Sequence, residues 1–239
     1  MPTKPLCIGI ARCTNLGVHP CDKITSVQSN CILKQIPEPW NGHLSEAKIL
    51  YIGSNPSIDC DEVYPDSTWS DKKICDFFEN RFKKGKVKKT TGKEVAVSFW
   101  TYLINYTNWI NEELKTSGKA FLTKYPITKQ KKNMYDELNN DVVSTEIVHC
   151  KSKDAYGFEK ACCKCGDMWM GNILNLFSGK LIVVLGKKAE GAIKKCSKLN
   201  AIFGNLKVPV IYLPHPSRRM SVNDRKKAVQ SELRKVGLI

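Results

Sequence analysis

The stretch Ala47-Lys-Ile-Leu-Tyr-Ile-Gly53-Ser-Asn-Pro-Ser57 decides the fold. Its first half is a short apolar, β-prone run and its second half is a Gly/Pro turn. Such a run closed by such a turn reads as a buried strand feeding a loop. The same pattern recurs outward from it. Val142-Val-Ser-Thr-Glu-Ile-Val-His149 reads as a second strand. The nearly all-apolar Lys180-Leu-Ile-Val-Val-Leu185, closed by Gly186, reads as a third, and Val208-Pro-Val-Ile-Tyr-Leu213, ending at Pro214-His-Pro-Ser217, as a fourth. Helical patterns lie between and beyond them, at about 70–82, 97–114, 167–177, 187–198 and 222–236. In the first of these Ser70 can cap, and Ile74, Phe77, Phe78 and Phe82 share one stripe. Apolar strands alternating with amphipathic helices predict a parallel sheet covered on both faces. The expected fold is a three-layer α/β/α sandwich with a central, mainly parallel four-stranded sheet. In such sheets the functional loops lie beyond the strand C-termini, where Asn55, His149 and His215 fall.

The chain has 239 residues, of which 42% are apolar and 26% charged, so whole-chain disorder is excluded. The length suits a single domain over 1–239. Within it, residues 1–45 read as a loop-rich, cysteine-containing arm and residues 83–140 as a basic insert. No apolar run approaches ~18 residues, so no membrane span is expected. The start Met-Pro-Thr-Lys-Pro lacks the apolar stretch of a secretory signal, and a cytoplasmic location is the expectation. The eleven cysteines are therefore expected as reduced thiols and metal ligands rather than a disulfide framework. The 38 Lys+Arg against 23 Asp+Glu give a formal charge of +15, which points to a polyanionic partner, most simply nucleic acid. Seven of the basic residues fall between Arg81 and Lys93 with no acid among them, and more lysines follow over 115–132. With a DNA partner these runs are expected to track phosphates.

Two loops and two strands line up in order: Gly53-Ser-Asn-Pro-Ser57, Thr145-Glu-Ile-Val-His-Cys150, Leu181-Ile-Val-Val-Leu-Gly186, and His215-Pro-Ser217. This order and spacing resembles the uracil-DNA glycosylase superfamily over about residues 47–222. In that superfamily a Gly-x-(Asn/Asp/Ala)-Pro loop faces a His-Pro-Ser loop across the base pocket. The layout is most similar to the iron–sulfur branch, while motif one is like that of the mismatch-specific and single-strand-selective branches. The resemblance implies a monofunctional DNA glycosylase that flips a base and hydrolyses its N-glycosidic bond. Asn55 would orient the attacking water, and His215 would hydrogen-bond the leaving base. Read alone, Asn55 is a turn residue before a proline and His215 a structural histidine; the pairing is what favours chemistry. After His-Pro-Ser the superfamily inserts a residue into the minor groove. Ser217, Arg218, Arg219 and Met220 are the DNA-contacting candidates, with Arg219 on the wedge position and Met220 as fallback. Both arginines also suit plain phosphate contact. No lysine stands in either motif, so no Schiff-base step is expected. No Gly-x-Gly-x-x-Gly loop is present, so no nucleotide cofactor is expected. The chain is expected to act as a monomer.

Two departures bear on the base. The uracil-specific branch carries a Tyr after the motif-one Pro, whose ring closes the space beside C5; here that residue is Ser57. The reading strand usually carries Asn where this chain has Glu146. An ionised Glu only accepts hydrogen bonds, which suits the N4 amino group of cytosine and repels the O4 of uracil. A protonated Glu146 sharing its proton with the base is the other form available. Together these favour a C5-modified cytosine, such as the glucosylated hydroxymethylcytosine of phage DNA, and hence a role in antiviral defence. The alternatives are uracil or another damaged base in repair, and a metal-containing module that binds DNA without cutting it. Tyr64 and Trp69 are candidates for stacking on the base, with core packing as their ordinary role.

The resemblance to the iron–sulfur branch also implies a [4Fe–4S] cluster on two N-terminal cysteines, the cysteine closing the reading strand and another about 15 residues later. Cys150 and Cys165 match the latter pair, with Cys162 and Cys163 as rivals. By distance from Gly53, Cys21 and Cys31 best fit the former, out of Cys7, Cys13, Cys21 and Cys31. Thiolates suit zinc equally. The role would be structural, and the chemistry needs no cofactor. Cys60, Cys75 and Cys196 read as ordinary buried thiols.

Overall fold

The computed structural model describes residues 3–31, 34–83, 85–122 and 134–239. In chain order the elements are α1 (Thr3–Ala11), α2 (Asp22–Ser26), β1 (Ile49–Gly53), α3 (Asp71–Glu79), β2 (Lys86–Lys88), β3 (Glu94–Ala96), α4 (Ser98–Thr116), α5 (Met134–Asp141), β4 (Val142–Glu146), α6 (Phe158–Leu176), β5 (Leu181–Leu185), α7 (Gly186–Lys195), α8 (Ser197–Gly204), β6 (Val210–Leu213) and α9 (Val222–Lys235). The central sheet has the order β4-β1-β5-β6, and every pairing in it is parallel.

The two faces of the sheet are read directly from the strand period of two. In β1, Leu50 and Ile52 enter one core with α1, α3 and α6, while Ile49 and Tyr51 enter the other with α4 and α9. In β5, Ile182 and Val184 join the first core and Leu181, Val183 and Leu185 the second. Every residue of β1 and β5 is buried. This is the expected α/β/α sandwich. Ser70 caps α3 as expected, its side chain accepting from Lys73 N–H, a contribution of about 1 kcal/mol.

Three expectations are corrected. The arm is not only loop: α1 packs Leu6, Cys7, Ile10 and Ala11 into the first core. The basic stretch after Arg81 contains an antiparallel hairpin, β2–β3, in which Val87 pairs with Val95. The helix expected over 167–177 begins nine residues earlier, at Phe158. Of the lysine-rich 115–132 stretch, residues 123–132 lie outside the described residues. No helix among the described residues is long and apolar enough to cross a membrane.

Candidate active site

Both motif loops leave the sheet at strand C-termini, as a parallel sheet requires of its functional loops. Gly53 ends β1 directly opposite Glu146. A methyl group there would lie 2.1 Å from Glu146 Oε2, so any larger residue would displace that carboxyl. The loop is then tied to the β4 extension, where Ile147 N–H donates to Gly53 O at 3.1 Å and Val148 N–H to Ser54 O at 2.9 Å. Asn55 is half-buried, and its Nδ2 donates to Pro56 O at 3.1 Å and to Ser152 Oγ at 2.9 Å.

The second loop follows β6. Tyr106 donates to Pro214 O at 2.8 Å, and the buried Arg225 donates to Tyr106 Oη at 2.9 Å and to Pro216 O at 3.0 Å. Arg225 also donates to Arg218 O, so one guanidinium grips the loop on both sides of Ser217. Within it, Ser217 N–H donates to His215 Nδ1 at 3.2 Å, and the Ser217 hydroxyl lies 2.8 Å from the same atom. A backbone N–H can only donate, so Nδ1 is an acceptor and the ring proton of the neutral imidazole sits on Nε2. Burial lowers the His215 pKa, and the neighbouring Arg225 and Lys188 cations lower it further. His215 is thereby a neutral donor at physiological pH.

Asn55, Ser57, His215, Ser217 and Arg218 line one open cavity of about 1060 Å³, together with Ser152, Asp154, Lys188 and Tyr212. Asp154 and Ala155, on its rim, hold left-handed backbone at φ 54° and 58°. Such strain concentrates at functional sites. Arg219 is exposed and Met220 half-buried on the same loop, and neither lines the cavity.

Three of the base-binding expectations change. Glu146 is absent from the cavity wall. Its Oε2 has no contact with solvent and no hydrogen-bond partner. Burial first, and the Glu38 charge second, push its pKa well above the ordinary carboxylate value. It is therefore a neutral acid, and the ionised, accept-only form does not apply. Tyr64 is core: its hydroxyl donates to Glu38 Oε2 at 3.0 Å, and its ring meets Phe77 and Phe78 edge-on. Trp69 packs edge-on against Phe77 at 5.7 Å, with Lys73 Nζ 3.7 Å from its ring, also away from the cavity. Proximity to motif one along the chain misled here, because the polypeptide turns from the loop into the α3 layer. The ring beside His215 is Phe99 at the start of α4, 6.0 Å between centroids.

Behind the loop lies a buried charge network. Arg81 pairs with Glu62 at 2.6 Å and Glu38 at 3.9 Å, and Lys151 with Glu62 at 3.4 Å and Glu38 at 3.9 Å. Burial alone would raise the Glu38 pKa; Arg81 and Lys151 reverse this and hold it below the ordinary value. Arg81 is thus internal, and the expectation that it tracks phosphates is overturned.

The cysteines divide into two populations. Cys31–Cys60 and Cys163–Cys196 are disulfides, and the other seven are free. Cys31 is therefore not a metal ligand, because the arm turns at that point and faces it toward Cys60 on the Asn55 loop. Cys60 and Cys196, expected as free thiols, are bonded. The thiols of Cys21, Cys150 and Cys165 line one narrow pocket with a fourth, Cys13, alongside His149 and Met168. Burial pushes the Cys165 thiol up to about 12, and the nearby Cys21 and Cys13 add to the effect while a hydrogen bond to the His149 backbone opposes it. Burial and the same neighbours, Cys165, Cys21 and Cys13, raise Cys150. Once deprotonated, these sulfurs are a soft donor set of the kind iron–sulfur clusters take, but among the described residues they are not drawn together closely enough for a single zinc ion. A second group, Cys162, Cys163 and Cys196, has its sulfurs within 4.8 Å of one another and could hold an ion once the Cys163–Cys196 bond is open.

A parallel α/β/α sheet whose strand ends present an Asn-Pro loop and a His-Pro-Ser loop to one cavity defines a class of base-processing DNA enzyme. The chain matches the model of the uracil DNA glycosylase superfamily over residues 39–235 and belongs to that superfamily. Members of it are DNA glycosylases and act on DNA. No curated protein matches the chain. Sequence reading missed Ser152, Tyr106 and Arg225, none of which stands in a motif.

Proposed function

We propose that the chain is a monofunctional DNA glycosylase in which Asn55 orients the attacking water and His215 hydrogen-bonds the departing base. The observation that carries this reading is that Asn55 and His215, 160 positions apart in the sequence, line the same cavity. His215 Nε2–H is a neutral donor, suited to a base leaving as an anion. Arg218, Arg219 and Met220, on the loop that follows, would contact the backbone and fill the gap left by a flipped base.

The base we assign is a cytosine carrying a C5 substituent. Ser57, small and exposed at the cavity wall, leaves open the space where a bulkier side chain would close off C5 of the base. Glu146 lies buried behind Gly53 and does not line the cavity, so the assignment rests on Ser57 alone. A hypermodified cytosine of phage DNA is the natural source of such a base, which makes defence the favoured setting. A cluster held by Cys13, Cys21, Cys150 and Cys165 would pin the N-terminal arm to α6 and takes no part in bond breaking.

The test is release of free base from duplexes carrying uracil, 5-hydroxymethylcytosine or its glucosylated form. Release from a modified-cytosine duplex supports the assignment. Release from the uracil duplex alone overturns the cytosine assignment, and release from none overturns the enzyme. Asn55→Ala separates enzyme from binding module: base release vanishes while DNA binding persists.

A further inference from the structure

We infer that Ser152 is a positioning residue for Asn55, holding the side-chain amide so that only its oxygen is left for the water. The inference rests on the glycosylase reading above. Pro56 O can only accept a hydrogen bond, so the Asn55 atom 3.1 Å from it must be the amide nitrogen. The same nitrogen reaches Ser152 Oγ at 2.9 Å. Both of its protons are then engaged, and Oδ1, which only accepts, is the capacity that remains. A water donating a proton to Oδ1 keeps a lone pair for the sugar carbon. The opposite amide orientation would present N–H groups, which draw that lone pair away from the sugar.

Ser152 is suited to this by its own fixation. It is 1% exposed. Its N–H donates to Pro56 O at 3.1 Å, its carbonyl accepts from Ile58 N–H at 3.4 Å, and it forms a parallel bridge with Ser57. The segment after β4 therefore clasps the Asn55 loop through backbone and side chain together. The adjoining Lys151 is anchored in the buried charge network with Glu38 and Glu62, so the clasp is fixed from behind as well. The backbone at Ser152 is extended, φ −150° and ψ 160°, a conformation that a threonine also adopts readily.

The experiment uses the full chain and whichever of the uracil, 5-hydroxymethylcytosine and glucosylated duplexes the wild type cleaves fastest. Single-turnover base release, duplex Kd and melting midpoint are measured for wild type, Ser152→Ala, Ser152→Thr and Ser152→Cys. A misdirected amide costs about 10- to 100-fold in rate. The expected result is that loss in Ser152→Ala and Ser152→Cys, with Kd within about twofold, and recovery to within about threefold in Ser152→Thr. Wild-type rates in Ser152→Cys, or a loss residing in Kd rather than rate, overturn the inference. Should Ser152→Ala fail to fold, the cysteine and threonine variants decide alone. A wild type that releases no base from any duplex fails the glycosylase reading itself and takes this role with it, whereas an active wild type with an equally active Ser152→Ala fails the inference alone.

Discussion

Gly186 sits against His215 so closely that a methyl group on its Cα would lie 2.8 Å from His215 Cβ. Gly186 also holds φ at +85°. The last turn out of β5 therefore supports the histidine of the other loop from below. Gly186→Ala combines a left-handed backbone cost of about 1–2 kcal/mol with overpacking of about 1–3 kcal/mol. We expect a fall in melting midpoint together with a loss of base release of at least tenfold, read by calorimetry and single-turnover kinetics. An unperturbed variant would show that the contact is slack.

His215 is kept neutral by burial and by Arg225 and Lys188. A depressed folded pKa means that the neutral donor persists as pH falls past the ordinary histidine value of about 6.5. His215-linked stability is therefore lost as pH falls through the unfolded value of about 6.5 and levels off below the folded pKa, while the loss of rate follows the lower, folded pKa. Lys188→Ala removes one of the depressing charges and should move the acid limb of the pH–rate profile to higher pH. His215→Ala should cost about 10²–10³ in rate. An acid limb that does not move in Lys188→Ala would contradict the electrostatic account.

Glu146 has the opposite sign. Its folded pKa is raised by burial and by Glu38, so the stability it contributes is present below its unfolded pKa and is lost as pH rises toward the folded one. Each pKa unit of separation is worth about 1.4 kcal/mol. Glu146→Gln keeps the shape of the neutral acid without that penalty. We expect its melting midpoint to exceed wild type by at least about 3 °C at pH 8 and to match it near pH 4. Equal midpoints at both pH values would mean that Glu146 is ionised and solvated.

The thiol arrangement distinguishes Cys13 from Cys31. Cys13 shares a pocket with Cys21, Cys150 and Cys165, whereas Cys31 is bonded to Cys60. In anaerobically purified protein, Cys13→Ser is expected to lose most bound iron by elemental analysis, and Cys31→Ser to retain it. The reverse pattern would restore Cys31 as a ligand.

The sheet was legible because β1 and β5 are apolar on both faces, as only strands inside a two-sided sandwich can be. Asn55 and His215 were legible because a motif fixes its own loop. The β2–β3 hairpin was hidden because only Val87, Val95 and the small Ala96 interrupt its polar residues. Tyr64 and Cys31 were misplaced for one shared reason: both were judged by distance along the chain, whereas Tyr64 packs on Phe77 and Phe78 of α3 and Cys31 bonds Cys60. The protonation of Glu146 follows first from its burial and then from Glu38, more than 100 residues earlier, and no local pattern encodes that environment. Arg225 and Ser152 act through hydrogen bonds to other loops and carry no signature of their own.

The buried network around Arg81 has a consequence for how the protein senses ionic strength. Counterion release is proportional to the cations that reach phosphates, about 0.9 in the logarithmic salt slope for each contact. Arg81 is committed to Glu62 inside the protein, and Lys86 and Lys89 must first leave Glu94 and Asp59. The stretch from Arg81 to Lys93 thus releases fewer ions than its seven positive charges suggest, and its grip on a duplex weakens less steeply as salt is added.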